Sequence, residues 1–247
     1  MNQIEEKLPE MLSIWQSTFG WQPNQKQQQQ FEQLYQIILE GNRKLNLTRI
    51  TSPEDFWEKH LWDSLTGVHS WLANNNSQEN LKVIDIGTGA GFPGLPVAIA
   101  FPHWTVTLLD STRKKVAFLE TTITKLGLTN VKTLLGRAEA VGQDSLYREV
   151  YDLALIRAVG QASVCAEYAV PLVNNSGLAI LYRGHWSEAE NLALNSAIIQ
   201  LGSKLDKIEA WKTPLTNSDR HCVYLRKHFP TPKQFPRPIG IPNQNPL

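Results

Sequence analysis

The residues best placed to do chemistry lie in one stretch, Asp85-Ile86-Gly87-Thr88-Gly89-Ala90-Gly91-Phe92-Pro93-Gly94, where a carboxylate runs into a glycine-rich turn. The β-forming residues before it read as a buried strand, and Leu95 to Ala100 read as the first turns of a helix, so the glycines sit at a strand-to-helix corner. Such a corner lets backbone approach a ligand closely and aims unpaired helix N–H groups at it. Gly89-Ala90-Gly91-Phe92-Pro93-Gly94 fits the dinucleotide pattern, and Asp110 ends the next strand at about the expected 20 residues further on, so NAD is one reading. Against it stands Asp85, a carboxylate close to where a pyrophosphate would lie. S-adenosylmethionine (SAM) has no phosphate, its amino group and sulfonium favour a nearby acid, and its ribose hydroxyls suit Asp110. SAM is the preferred reading and NAD the alternative; a turn whose glycines only pack is the plainest one.

Other strand ends add polar groups to the same crevice, since ligands of open α/β sheets lie outside the carboxyl ends of the strands. Asp110 accepts from ribose hydroxyls, the Ala138 N–H and Glu139 carboxylate address an adenine edge, and Arg157 suits the methionine carboxylate or an RNA phosphate. His60 and Asp63, three apart on one helical face, are weak acid/base candidates and more simply a structural pair. Cys165 falls inside a helical pattern and Cys222 at a strand start, so neither suits a nucleophile, and no metal cluster is expected.

The elements that must position these residues follow from periodicity. Strands are expected at 81–86, 104–110, 131–136, 151–157 and 178–183, with helices at 93–101, 113–126, 161–173 and 186–201. This alternation implies a doubly wound, Rossmann-like, mostly parallel sheet. Two last strands, 204–211 and 221–227, leave no room for a helix between them and should pair antiparallel, which is the methyltransferase variant of the fold. Before the sheet come an amphipathic helix over 3–19, a helical stripe that ends at Gly41, with Gln27 to Gln30 as its solvated face, and a helix begun by Ser52-Pro53. Asn74 to Ser77 is the expected boundary, giving a helical extension at 1–74, a core at 75–229 and a Pro-rich basic tail at 230–247. That tail suits contact with an RNA backbone and, equally, a strap packed along the domain.

With 24 basic and 23 acidic residues among 247, the chain is not a globally basic nucleic-acid binder, although a local basic face remains open. Two cysteines make no disulfide framework, and neither a secretory leader nor an apolar run of membrane-spanning length is visible, so a cytoplasmic protein is expected.

The ordered set Asn46-Leu47-Thr48, His60-x-x-Asp63-Ser64-Leu65, the Asp85 to Gly94 turn, Leu109-Asp110-Ser111 with Arg113-Lys114-Lys115, Arg137-Ala138-Glu139 and Arg157-Ala158 resembles the bacterial 16S ribosomal RNA guanine-N7 methyltransferases, also called glucose-inhibited division protein B. The resemblance covers most of the chain. It implies a SAM-dependent methyltransferase acting on N7 of a guanine in a 16S rRNA loop, with cofactor contacts from Gly87, Gly89, Phe92, Asp110, Ser111, Thr112, Ala138, Glu139 and Arg157. On that reading no residue acts as acid or base, and Arg49, Arg113, Lys114, Arg183, Lys227, Lys233 and Arg237 face the RNA. The partner is 16S rRNA or the small ribosomal subunit, with no DNA and no membrane, and the chain works as a monomer.

Overall fold

The computed structural model describes residues 7–73 and 79–247. Its centre is a seven-stranded sheet in the order β3-β2-β1-β4-β5-β7-β6. The strands are β1 (Lys82–Ile86), β2 (Thr105–Asp110), β3 (Val131–Leu135), β4 (Tyr151–Arg157), β5 (Val173–Arg183), β6 (Ser203–Lys212) and β7 (Asp219–Lys227). β1 to β5 are parallel, and β7 runs antiparallel to both β5 and β6. The expected sheet, including its single reversed strand, is the one observed. Between the strands lie α6 (Gly94–Ala100), α7 (Arg113–Lys125), α8 (Ala138–Gln143), α9 (Ala162–Ala169) and α10 (Glu188–Gln200). α8 is absent from the sequence expectation because one and a half turns carry too little periodicity to register.

In front of the sheet lie α1 (Leu12–Phe19), α2 (Gln25–Leu45), α3 (Pro53–Phe56), a π-helical segment Trp57–Trp62, α4 (Asp63–Thr66) and α5 (His69–Ala73). α1 is shorter than the expected 3–19 helix: the described residues before Leu12 are non-helical, and Met11 is left-handed at φ 47°. Residues 3–6, like the Asn74 to Ser77 boundary, lie outside the described residues. α2 runs past Gly41, because that glycine is a packing position: a Cβ there would come within 2.3 Å of the Phe118 ring on α7.

The glutamine tract is only partly a solvated face: Gln29 is exposed, whereas two of the four glutamines point inward. Gln27 and Gln30 are buried, Gln27 donating to the Ile99 and Ala100 carbonyls at the end of α6, and Gln30 to Leu126 O just beyond α7. Helix C-termini leave carbonyls without intrahelical partners, and α2 supplies the missing donors. These bonds and a shared apolar cluster fasten the front helices to the sheet face that also carries the glycine turn: Trp15, Trp57 and Trp62 pack in one core with Phe92, Leu95 and Leu108.

The C-terminal segment is a strap. Phe235 is buried, Arg237 pairs with the fully buried Glu167 on α9 at 2.7 Å, and Arg148 donates to the carbonyls of Thr231, Pro232 and Phe235. The segment carries a short helix, α11 (Ile241–Gln244).

Candidate active site

The glycine turn is held by Asp85. Its Oδ2 accepts from the Thr88 hydroxyl at 2.5 Å and from the Gly94 N–H at 2.8 Å. A carboxylate of the turn itself therefore caps the N-terminus of α6, the place where a dinucleotide fold would receive its pyrophosphate. This decides between the two ligands left open by the sequence: a pyrophosphate would meet a carboxylate already bonded to the amide it needs. Burial pushes the Asp85 carboxyl up to about 6, the bonds from Thr88 and Gly94 opposing that rise. Its folded value lies above the unfolded one, so its favourable contribution is complete below about pH 4 and lost as pH rises through 6. Asp85→Asn is expected to remove that dependence, raising stability relative to the parent by about 2–3 kcal/mol at pH 8 compared with pH 4, read as paired melting temperatures.

Above the turn, Asp110 ends β2. Its Oδ2 accepts from the Gly89 N–H at 3.0 Å and its Oδ1 from the Thr112 N–H at 2.8 Å, leaving each oxygen a further lone pair. A crevice opens beside it, lined by Ile86, Gly87, Leu109, Asp110 and Ser111 from the ends of β1 and β2 and by Arg137, Ala138, Glu139, Val159, Tyr168 and Asn243. Gly87 has φ +67°, and a Cβ there would lie 2.7 Å from Val159, so this wall admits only glycine. The residues fit SAM: two acceptor positions for ribose hydroxyls, the first-turn amide of Ala138 for a base, an apolar strip from Ile86, Leu109 and Val159, and no cation arranged for phosphate on the turn.

Of the residues expected at the cofactor, the structure brings Gly87, Asp110, Ser111, Ala138 and Glu139 to one crevice; Gly89 and Thr112 lie behind it, holding Asp110. Phe92 and Arg157 lie elsewhere, in a cluster with His60. The His60 ring stacks on Phe92 at 4.3 Å and 8°, and its Nε2 is 2.9 Å from Thr48 Oγ1. Arg157 donates to Lys59 O at 3.0 Å and to Asp63 at 2.8 Å, with a longer contact of 3.4 Å to His60 Nδ1. Arg220 adds a second cation on Asp63 at 3.2 Å. The guanidinium of Arg157 thus ties β4 to the front helices through its Nη1 hydrogens, while its Nε makes no hydrogen bond to the described residues. Burial, with Arg157 and Lys59 nearby, pulls the His60 imidazole down to about 3, so it is neutral throughout the physiological range. Asn46-Leu47-Thr48 has a local role: Asn42 and Thr48 exchange two hydrogen bonds that fix the loop under His60.

The basic residues divide into two sets. Arg49, Arg113, Lys114 and Lys233 are exposed, and Lys114 shares a groove with Lys44 from the end of α2. Lys227 is corrected: it is 1 % exposed and its ammonium donates to Glu149 and to the carbonyls of Val170 and Val173, so it cannot reach RNA. Arg183 and Arg237 are likewise committed, to Glu190 with Gly160 O and to Glu167. Sequence reading missed Tyr168 and Asn243 in the crevice, because neither belongs to a motif and only the packing of α9 and the tail brings them there.

Both thiols are buried and shifted upward by desolvation, Cys165 to about 11, so neither is a ready nucleophile. Among the described residues no group of three or more His, Cys, Asp or Glu is arranged for a metal, and no helix is long and apolar enough to cross a membrane.

The sheet order and this crevice define the class: a Rossmann-like SAM-dependent methyltransferase. A solved structure of a mutant 16S rRNA (adenine(1408)-N(1))-methyltransferase from Catenulisporales acidiphilia shares the fold, with TM-score 0.51 and 14% identity over 64% of this chain and 90% of that one. The family described as rRNA small subunit methyltransferase G matches residues 27–223. Relatives named ribosomal RNA small subunit methyltransferase G include one from Nostoc punctiforme, 59% identical over 97% of this chain and 98% of its own, and one from Gloeobacter violaceus, 52% identical over 95% and 92%. The chain belongs to the rRNA small subunit methyltransferase G family.

Proposed function

We propose that the protein transfers the methyl group of SAM to N7 of a guanine in a loop of 16S rRNA, as a cytoplasmic monomer and without DNA or a membrane as partner. The observation that carries this reading is one continuous run, Asp110 to Lys114. Its first residue offers a carboxylate to the cofactor crevice, and two of its last, Arg113 and Lys114, are exposed cations on the first turn of α7. Cofactor site and phosphate-binding rim are adjacent by construction.

When bound, SAM supplies an electrophilic methyl on a sulfonium, which a lone pair displaces while the carbon–sulfur electrons stay on sulfur. Guanine N7 has such a lone pair in its neutral form, so no proton has to leave before attack. This suits a site whose nearest imidazole, His60, is neutral, stacked on Phe92 and engaged at both nitrogens. What the chain's own residues contribute is alignment: Asp110 orients the sugar, the Gly87 wall sets the depth of the cofactor, and the packed front helices exclude water. We assign the helical extension at 1–74 and the core at 75–229 to this division of labour, with Arg49 and Lys233 extending the rim.

Labelled methyl should pass from SAM to small-subunit RNA of a strain lacking this protein, and chemical cleavage at 7-methylguanine should then give a single cut in a loop. Label without that cut would refute the N7 assignment. Replacing Arg49, Arg113 and Lys114 together by alanine is expected to leave SAM affinity unchanged and to lower the slope of log K against log salt by about 2 to 3 on binding to RNA.

A further inference from the structure

Glu139 is the residue that the sequence offers to the adenine edge, yet in the structure most of its acceptor capacity is spent inside the protein, its Oε1 taking three donors and its Oε2 one long bond. It is 2 % exposed. Its Oε1 accepts from Arg137 at 2.9 Å, from the Tyr168 hydroxyl at 3.2 Å and from the Gly240 N–H at 3.0 Å, and its Oε2 from Arg137 Nε at 3.3 Å. The last residues of the chain are therefore fastened to the floor of the crevice. Gly240 is the pivot, with φ +88°, and α11 begins directly after it with Pro242 buried. This brings Asn243 into the crevice wall, its Oδ1 3.4 Å from where a Cβ on Gly160 would sit.

Asn243 is exposed and its carboxamide makes no hydrogen bond to the described residues. A carboxamide presents an acceptor beside a donor. Adenine presents the complement, an exocyclic amino donor beside a ring-nitrogen acceptor, the pairing by which Asn reads adenine elsewhere. A carboxylate matches only half of that edge and repels the ring nitrogen.

We propose that Asn243, delivered by the C-terminal strap, makes the polar contact to the adenine of the cofactor, and that Glu139 is a positioning residue that anchors the strap through Gly240. The inference rests on the reading of this crevice as the SAM site. Recognition of the base is then completed by a segment that follows the last strand, whereas the other cofactor contacts lie at the ends of β1 to β3 and on the residues that directly follow them.

The test is a binding cycle by titration calorimetry, using S-adenosylhomocysteine and its analogue lacking the 6-amino group. The parent is expected to lose about fivefold in affinity for the analogue, the worth of one neutral hydrogen bond. Asn243→Ala is expected to bind S-adenosylhomocysteine about tenfold more weakly than the parent and to treat the two ligands within twofold of each other, so the effects are coupled. Its exposed position makes an unchanged melting temperature the control for folding. If Asn243→Ala still distinguishes the two ligands fivefold, or binds more tightly than the parent, the assignment is overturned, the latter result meaning that the strap competes with the nucleotide. If the parent itself binds neither ligand, it is the SAM reading of the crevice that fails.

Discussion

Replacing Asp110 by alanine is expected to reduce SAM affinity by a hundredfold or more. The carboxylate offers a lone pair on each oxygen to the crevice, and hydrogen bonds to a charged acceptor are worth about 1.5–3 kcal/mol each. Two such bonds exceed the roughly 2.7 kcal/mol that a hundredfold represents. The same substitution frees the Gly89 and Thr112 amides that Asp110 now holds at 3.0 and 2.8 Å, so the turn loses its alignment together with its acceptor. Gly87→Val should match it by a different route, since the first added carbon would stand 2.7 Å from Val159 on a backbone at φ +67°. Calorimetry with SAM reads both variants. Parent-like affinity in either would mean that the cofactor lies elsewhere.

Lys227→Met is expected to cost about 3 kcal/mol of folding stability and nothing in the salt dependence of RNA binding. The ammonium satisfies Glu149 at 2.8 Å and two backbone carbonyls at 3.2 and 2.9 Å, joining β7 to the start of β5 and to the turn that precedes β4. Removing the ammonium leaves the Val170 and Val173 carbonyls without this donor, each at the cost of a buried unsatisfied group, and leaves Glu149, 31 % exposed, with the Thr231 N–H. Denaturant unfolding measures the loss, and filter binding to RNA at a series of salt concentrations measures the slope. A shallower slope with unchanged stability would return Lys227 to the RNA-facing set. The contrast with Arg113 and Lys114 is instructive: the same residue class, equally basic in the sequence, serves the interior in one case and the surface in the other.

What the sequence determined by itself is the sheet and the turn. Alternating apolar runs and helical stripes are local signals, repeated at every strand, and they specify a doubly wound sheet ending in an antiparallel pair without reference to any long-range contact. The Asp85 to Gly94 stretch was equally legible, because a strand, an acid and closely spaced glycines constrain the backbone where they stand. The roles of single polar side chains were not legible in this way. A glutamine at position 27 or 30 looks solvated until α2 is laid across the ends of α6 and α7, where unpaired carbonyls claim its amide. Arg157 and Glu139 look wholly free after strands until Asp63 and Gly240, 94 and 101 residues away in sequence, engage them. The choice of SAM over a dinucleotide rested in the sequence on the repulsion expected of Asp85 and on the antiparallel pair that ends the sheet; the tertiary structure added the bond of that carboxylate to the Gly94 amide. Hydrophobic periodicity is written into neighbouring residues, whereas the partner of a polar group is chosen by whatever the fold brings within about 3 Å, and only the folded chain makes that choice.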